Sequence, residues 1–412
     1  MKNGTFAQKK ENTLKQVLYL SYDGMTDPLG QSQVLPYLIG LSKLGYAFTL
    51  ISAEKSENFE KREAIIRQLT QDNNIDWQPI SYTKKPPVFS TLYDVRQLRR
   101  TAITLHKHKK FDFVHCRSYI AALVGEQLQK RLGLPFIFDM RGFWANERVD
   151  GGLWNLKNPL FKMVYHYFKR KEKGFLQKAS YIISLTHNAK QEIESWHLPT
   201  QRPIQVIPCC ADLNHFKSTL PAPTTQKDRF VLSYLGSLGT WYMLREMLDF
   251  FVELRKTKPE AHFLFITPDS PELIYKESDA LQIPRDCFTI QRGERAEVPS
   301  LLAQSTVSIF FVKPAYSKKA SSPTKMGEIL AMGIPLIANT DVGDTAWLFE
   351  KYACGALVQD FSLASYQKAI QALPTILQIP AETLRETAVA YFGLEEGIKR
   401  YEAVYKAVLR IT

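Results

Sequence analysis

Cysteine is scarce and odd in number: Cys116, Cys209, Cys210, Cys287 and Cys354 are the five in 412 residues. An odd set lying mostly within apolar runs excludes a disulfide framework and fits buried thiols in a reducing cytoplasm. Cys209 and Cys210 are adjacent, which is poor spacing for metal ligation, so no metal site is expected. No run approaches the roughly 18–20 apolar residues needed to span a bilayer. The opening MKNGTFAQKKENTLKQ is basic but has no apolar stretch behind it, and predicts a frayed start rather than a leader. Low-complexity tracts and short repeats are also missing. With 45% hydrophobic and 12% aromatic residues, disorder is excluded and a well-packed globular chain is expected.

What is present is charge, unevenly spread. Residues 1–227 hold 33 Lys+Arg and 19 Asp+Glu (33 − 19 = +14), and residues 228–412 hold 20 and 22 (−2), together the +12 of the chain. A basic first half calls for an anionic partner: nucleic acid, anionic lipid or a phosphorylated substrate. At this length two domains are expected. Apolar strand, polar turn and amphipathic helix repeat along the chain. Strand-like runs in the first half are QVLYLSY (16–22), AFTLISA (47–53), FDFVHCRS (111–118), PFIFDMR (135–141), YIISLT (181–186) and PIQVIP (203–208). FKSTLPAPTTQKDR (216–229) breaks the rhythm as a linker would. It restarts with FVLSYLG, HFLFITP, FTIQRG, VSIFFVK, IPLIANT and GALVQD. Near-continuous apolar strands alternating with helices predict parallel sheets covered on both faces, twice over. The expected fold class is α/β, two doubly wound Rossmann-like domains facing across a cleft, with ligands at the strand carboxyl ends in that cleft. The expected division is 1–220, 221–390 and a C-terminal helix at 391–412 able to pack back on the first domain.

The stretch ASSPTKMGEILAMGIPLIA (320–338) carries the chemistry. VSIFFVKP reads as a strand and SSPTKMGEILAMG as the helix after it. Ser322 is a candidate N-cap, Pro323 suits the first helical position, Gly333 ends the helix and Pro335 starts the next strand. Amides of residues 322–325 would then point from the strand ends beside the positive end of the helix dipole, an anion site to which Lys325 adds a full charge. Glu328 lies about one turn deeper on the same face, where a carboxylate suits a vicinal diol such as ribose. The bland alternative is a solvated Lys325–Glu328 pair. A second segment, LWNLKNPLFKMVYHYFKRKEKGFLQK (153–178), has seven basic residues and one acid interleaved with Leu160, Phe161, Val164, Tyr165, Phe168 and Phe175. It reads either as a helix packed on its sheet with a basic outer face or as one resting on anionic lipid.

SSPTKMGEILAMGIPLIAN resembles the donor-site helix of the GT-B glycosyltransferases of family 4, in the variant P-x-K-x-x-E followed by LAxGxPxI. The resemblance extends over most of the chain. FDFVHCRS is similar to the D-x-V-H strand, QVIPCCADLNHF to the V-I-P-N-G-V-D closing strand with Cys209 and Cys210 in place of Asn-Gly, and SYLGSLGTWYMLREM to the turn opening the second domain. DVGDTAW resembles the turn after the donor helix, and DMRGFWANERVDGG a block found in a subset of bacterial members. The resemblance implies a retaining glycosyltransferase of hexosyltransferase type, working from a nucleotide-sugar donor, UDP- or GDP-linked, on a glycan or lipid-linked acceptor in bacterial cell-surface polysaccharide synthesis. It implies no cofactor, with helix amides and basic side chains meeting the leaving diphosphate.

Carried residue by residue, Glu328 would bind the donor ribose, and Ser321, Ser322, Pro323, Thr324 and Lys325 would border the phosphates and sugar. Gly236, Ser237, Gly239 and Thr240 would form the donor loop of the second domain, and Gly30 the matching loop of the first. Two departures stand out. Ser321 occupies the place where many members carry a glutamate seven residues before the ribose-binding one. GSLGTWY has Ser237 and Trp241 or Tyr242 where an Arg and a Lys are usual, leaving the phosphate charge to Lys325 and to Lys318 or Lys319. On the acceptor side Asp23, Asp27, Gln31, His115, Arg117, Asp139, Arg141 and Glu147 follow strand ends. Asp27, Gly30, Gln31, Arg117 and Arg141 are expected at the acceptor, and Lys325, Glu328, Arg141 and His115 at the chemistry. Competing readings are a sugar-nucleotide epimerase or a phosphorylase on the same scaffold, and a basic binder of nucleic acid, for which no recognisable module is present. No nucleic-acid partner is expected, and the expected location is cytoplasmic, peripheral at the inner membrane face.

Overall fold

The computed structural model describes residues 14–217 and 229–411. The expected frayed start and most of the expected linker, with the boundary at 220, lie outside those residues. Two parallel sheets carry the fold. The first runs β1 (Lys15–Ser21), β2 (Tyr46–Glu54), β3 (Ile75–Ser81), β4 (Phe113–Arg117), β5 (Phe136–Asp139), β6 (Tyr181–Ser184) and β7 (Ile204–Val206), in the order β3-β2-β1-β4-β5-β6-β7. The second runs β8 (Val231–Leu235), β9 (His262–Ile266), β10 (Phe288–Gln291), β11 (Val307–Phe310), β12 (Leu336–Asn339) and β13 (Gly355–Val358), in the order β10-β9-β8-β11-β12-β13. An α-helix fills every crossover within each sheet, as parallel pairing demands.

Twelve of these strands are the apolar runs read from sequence; the thirteenth, β3, is not. Its sequence IDWQPIS alternates polar residues and holds Pro79, so no continuous apolar run betrays it. It is an edge strand, paired only with β2 among the described residues, where a missing amide is tolerated. By compactness the chain divides into one unit of Met1–Ile137 with Tyr405–Thr412 and another of Phe138–Val404. In the first, Tyr405 of the terminal helix Leu394–Ile411 packs edge-on to Tyr46 and Phe113, at ring distances of 5.1 and 4.9 Å. In the second, the core is aromatic-rich, with Phe250, Phe251, Phe263 and Phe265 fully buried around β8 and β9. The C-terminal helix expected at 391–412 is Leu394–Ile411, and a separate helix, Ala381–Phe392, precedes it, the two parting at Gly393.

Candidate active site

In the second sheet the strand order reverses between β8 and β11. Loops leaving neighbouring strands there diverge to opposite faces and open a crevice at the carboxyl ends. The two segments singled out by sequence, 236–242 and 320–328, are the ones that leave β8 and β11. The chain just past each strand is joined to the other: Met243 N–H donates to Phe311 O at 3.0 Å and Lys313 N–H to Trp241 O at 2.8 Å. The helix is Thr324–Ala331, with Pro323 at the N-cap position (φ −67°, ψ 111°) and Gly333 turning out of it at φ +73°. Ser322 is therefore not the N-cap. Its Oγ instead accepts the Cys209 N–H at 3.0 Å, which fastens the segment before the helix to the one after β7.

Lys325 is buried, 9% exposed. Its Nζ donates to Tyr234 Oη at 3.2 Å and lies 3.6 Å from the centre of the Tyr242 ring. Gly236 has φ +107°, a backbone conformation that favours glycine, and a Cβ there would sit 2.9 Å from that Nζ and push the lysine tip aside. Gly239 is different: only Ser237 Oγ comes within van der Waals range of a Cβ placed on it. Burial pulls the Lys325 ammonium down to about 7, against the opposing charges of Glu328 and Asp269. Glu328, one turn on, is half-buried, and its carboxylate has no hydrogen bond or ion pair among the described residues. Burial raises its carboxyl, while Arg295, Lys325 and His215 hold it back. Lys325 and Glu328 are thus no solvated surface pair. Asp269, which the sequence reading missed, braces the loop: it accepts from Leu238 N–H at 2.5 Å, Thr267 Oγ1 at 3.0 Å and Ser237 Oγ at 3.3 Å. Its position just past β9 was the available signal. Thr240 is exposed at the loop tip.

A cavity of about 220 Å³ adjoins this helix start and is lined by Arg141, Glu147, Trp241, Lys318, Ser321 and Ser322 among others. Every lining residue belongs to the unit Phe138–Val404. Lys318 is 5% exposed, its Nζ 3.5 Å from the Trp241 ring centre and 2.9 Å from Glu147 Oε1. Lys319 turns away, to Glu192 at 2.8 Å. Of the two lysines, the one in the cavity is Lys318. Arg141 has φ +58° and donates from Nη2 to Cys209 Sγ at 3.2 Å. Side chains from the helices Trp144–Asp150 and His187–Ser195 hold this wall: Asp150 accepts the Ser317 N–H, and the capping Thr186 donates to Lys319 O.

The first sheet reverses between β1 and β4, and there Arg117 Nε meets Asp23 Oδ2 at 3.1 Å. Asp27 accepts from Lys55 Nζ at 2.7 Å and Asn58 Nδ2, and Gln31 donates to Thr26 O, so both shape the loop. A Cβ on Gly30 would lie 2.2 Å from Gly24 O; the loop closes only with glycine. Glu54, also missed, is the loop's anchor. Buried at the end of β2, it accepts from Met25 N–H, Thr26 N–H, Thr26 Oγ1 and Ser52 Oγ. A charge closing the apolar run AFTLISAE was its signal. His115 is placed in the core, 1% exposed, with Nδ1 2.8 Å from Tyr405 Oη and its ring against Tyr19. In the helix Pro159–Lys178, Val164, Phe168 and Phe175 are buried, whereas Leu160, Met163 and Tyr167 are exposed. All five cysteines are free thiols, four of them buried. No helix among the described residues is long and apolar enough to cross a membrane.

Two family models match, Glycosyltransferase Family 4 over residues 34–215 and Glycosyl transferases group 1 over 217–378, abutting in the expected linker. No curated protein matches in sequence. Similar solved structures include a sucrose-phosphate synthase from Thermosynechococcus elongatus (15% identity, TM-score 0.67, 97% of this chain and 100% of that one). An Anabaena HepE in complex with UDP and glucose aligns at 14% identity and TM-score 0.65, covering 95% and 99%. A putative UDP-N-acetylglucosamine 2-epimerase from Listeria monocytogenes aligns at 12% and 0.59, covering 97% and 98%. At such identities these neighbours speak for the shared fold alone. With the two family models together matching residues 34–215 and 217–378 of a chain built on two parallel sheets, the chain belongs to the GT-B glycosyltransferases, with a family 4 first domain and a group 1 second domain.

Proposed function

We propose that the protein transfers a sugar, with retention at the anomeric carbon, from a nucleoside-diphosphate donor to a glycan or lipid-linked acceptor, in the assembly of a bacterial surface polysaccharide. The observation that carries the reading is Glu328: a half-buried carboxylate, without hydrogen bond or ion pair among the described residues, one turn from a buried lysine at a helix start. An acceptor-only group held unused in such a place suits two vicinal hydroxyls. Lys325, Lys318 and the first amides of the Thr324–Ala331 helix face the diphosphate in this proposal, stabilising the charge that grows as the bond from the anomeric carbon to phosphate breaks. The acceptor hydroxyl forms the new bond on the same face of the sugar, and its proton goes to the departing phosphate oxygen. No metal and no protein nucleophile is required. The Anabaena complex holds UDP and glucose in a like fold, which favours uridine as the donor base.

The loop 23–31, braced by Glu54, serves the acceptor in this proposal, Arg141 lines the cavity beside the donor helix, and His115 is given a packing role. We place the protein at the cytoplasmic face of an anionic membrane, through the basic face of the Pro159–Lys178 helix. Its exposed Leu160, Met163 and Tyr167 stand beside exposed Lys162, Arg170 and Lys173.

Calorimetric titration tests the donor site. Glu328→Ala is expected to weaken nucleoside diphosphate binding about 100-fold, from two charge-assisted bonds of roughly 1.5 kcal/mol each, and to leave inorganic pyrophosphate binding unchanged. Equal loss for both ligands, or for neither, refutes the ribose assignment. Incubation with donor alone separates the enzyme classes: an isomerised sugar nucleotide formed without acceptor would replace this reading with an epimerase.

A further inference from the structure

We propose that the first turn of the helix Phe89–Lys109, with the segment 84–87 before it, is a docking surface for an anionic lipid bilayer. The surface is apolar where an ordinary helix face would be polar. Phe89 is 70%, Leu92 58% and Tyr93 56% exposed, and their spacing puts them on one side of the turn. The opposite side is conventional: Ser90, Asp94, Val95 and Leu98 are buried. Three large side chains left in water on one turn lack the partner that would cover them.

Charge decides which partner fits. Residues 82–111 contain eight Lys+Arg and one acid, Asp94. Asp94 is 0% exposed and accepts from Tyr22 Oη at 2.8 Å and Thr83 N–H at 3.0 Å, so it presents no charge outward. Lys84 and Lys85 just before the turn, and Arg96 and Arg100 just after it, are exposed. Aromatic and aliphatic groups flanked by cations, with no exposed carboxylate in that run, match the layering of a bilayer surface: apolar groups at the acyl boundary, lysine and arginine among the phosphates. A protein partner would call for a cation-poor centre instead.

The surface has a functional address. Asp94 ties it through Tyr22 to the end of β1, where the loop 23–31 begins. Docking this turn therefore brings that loop to the headgroup layer, where the reacting hydroxyl of a lipid-linked acceptor is found. The inference rests on the peripheral placement proposed above but assigns it to a different element, in the other compact unit.

The test is co-sedimentation of the full-length protein with phosphatidylcholine vesicles made with and without phosphatidylglycerol. Wild type is expected to bind only the anionic vesicles. Lys84→Gln with Lys85→Gln should weaken partitioning about 30-fold, at roughly fivefold per cation. Phe89→Ser, Leu92→Ser and Tyr93→Ser together should lower it at least tenfold while nucleoside diphosphate binding, read by calorimetry, stays at the wild-type value. A second set, Lys162→Gln, Arg170→Gln and Lys173→Gln, reports on the other helix. If wild type binds anionic vesicles and the Phe89 set binds equally well, the inference fails while peripheral placement stands. If wild type binds no vesicle, both fail. If wild type sediments as a dimer that the Phe89 set converts to monomer, the occupant is a second copy and the inference is overturned.

Discussion

Lys325 makes donor binding proton-linked. Its ammonium is pulled to about 7 by burial between Tyr234, Tyr242 and the Gly236 turn, from an ordinary 10.5. In the unfolded chain the group keeps its proton to the ordinary value. Between about pH 7 and 10.5 the unfolded state thus holds a proton that the folded state lacks, and this residue's contribution to stability improves as pH rises. A bound diphosphate reverses the balance, because two phosphate charges beside Nζ restore the protonated form. At pH 8 about nine in ten unliganded molecules carry Lys325 neutral, so binding takes up about 0.9 proton. Apparent affinity then falls close to tenfold between pH 8 and 9, or about 1.4 kcal/mol per unit. The phosphates' own last ionisation, near pH 6, is complete by then and does not contribute. The assay is calorimetric titration of a nucleoside diphosphate at pH 8 in buffers of different ionisation enthalpy, whose slope gives protons taken up. Lys325→Met keeps the length and apolar packing but cannot titrate; it should bind more weakly, with a flat pH profile and no uptake. Uptake below about 0.2 in wild type, or uptake that survives in Lys325→Met and so belongs to a neighbour such as Glu328, refutes the reasoning.

Three further outcomes follow from the same geometry. Gly236→Ala puts a methyl 2.9 Å from Lys325 Nζ at φ +107°, and should cost roughly 1–3 kcal/mol of stability and most donor affinity, read by thermal denaturation with and without nucleoside diphosphate. Glu54→Ala leaves two buried amides of the loop 23–31 unmet and should cost about 3 kcal/mol, whereas Glu54→Gln keeps part of the bonding and should cost less; equal unfolding midpoints for the two would contradict the anchoring role. Lys318→Met removes the cation held over Trp241 and should weaken inorganic pyrophosphate binding about tenfold, while Lys319→Met, whose partner is Glu192, should leave it unaltered.

Why the helix at 324 was legible and its surroundings were not comes down to where the information sits. Parallel strands buried on both faces must be apolar runs, so β1, β2 and β4–β13 declare themselves; β3, exposed along one edge, is free to alternate and stayed hidden. Proline, lysine, glutamate and glycine at fixed spacing in 323–333 reflect constraints local to one turn of chain, and local constraints are visible in sequence. The helix start is off by one residue because Ser322 spends its hydroxyl on Cys209, a partner 113 positions away that no local rule could supply. The same reason hid Asp269 and Glu54: each is an unremarkable acid after a strand until the fold sets it against another loop's amides. Lys325 shows the limit most plainly. Its presence beside a helix start is a sequence fact, but its depression to about 7 comes from burial, in a place where the parallel pairing of β8 with β11 sets Tyr234 and Tyr242, some eighty to ninety positions earlier, against the ammonium. A binding residue can be read from one strand's exit; the proton it holds is set by the strand next door.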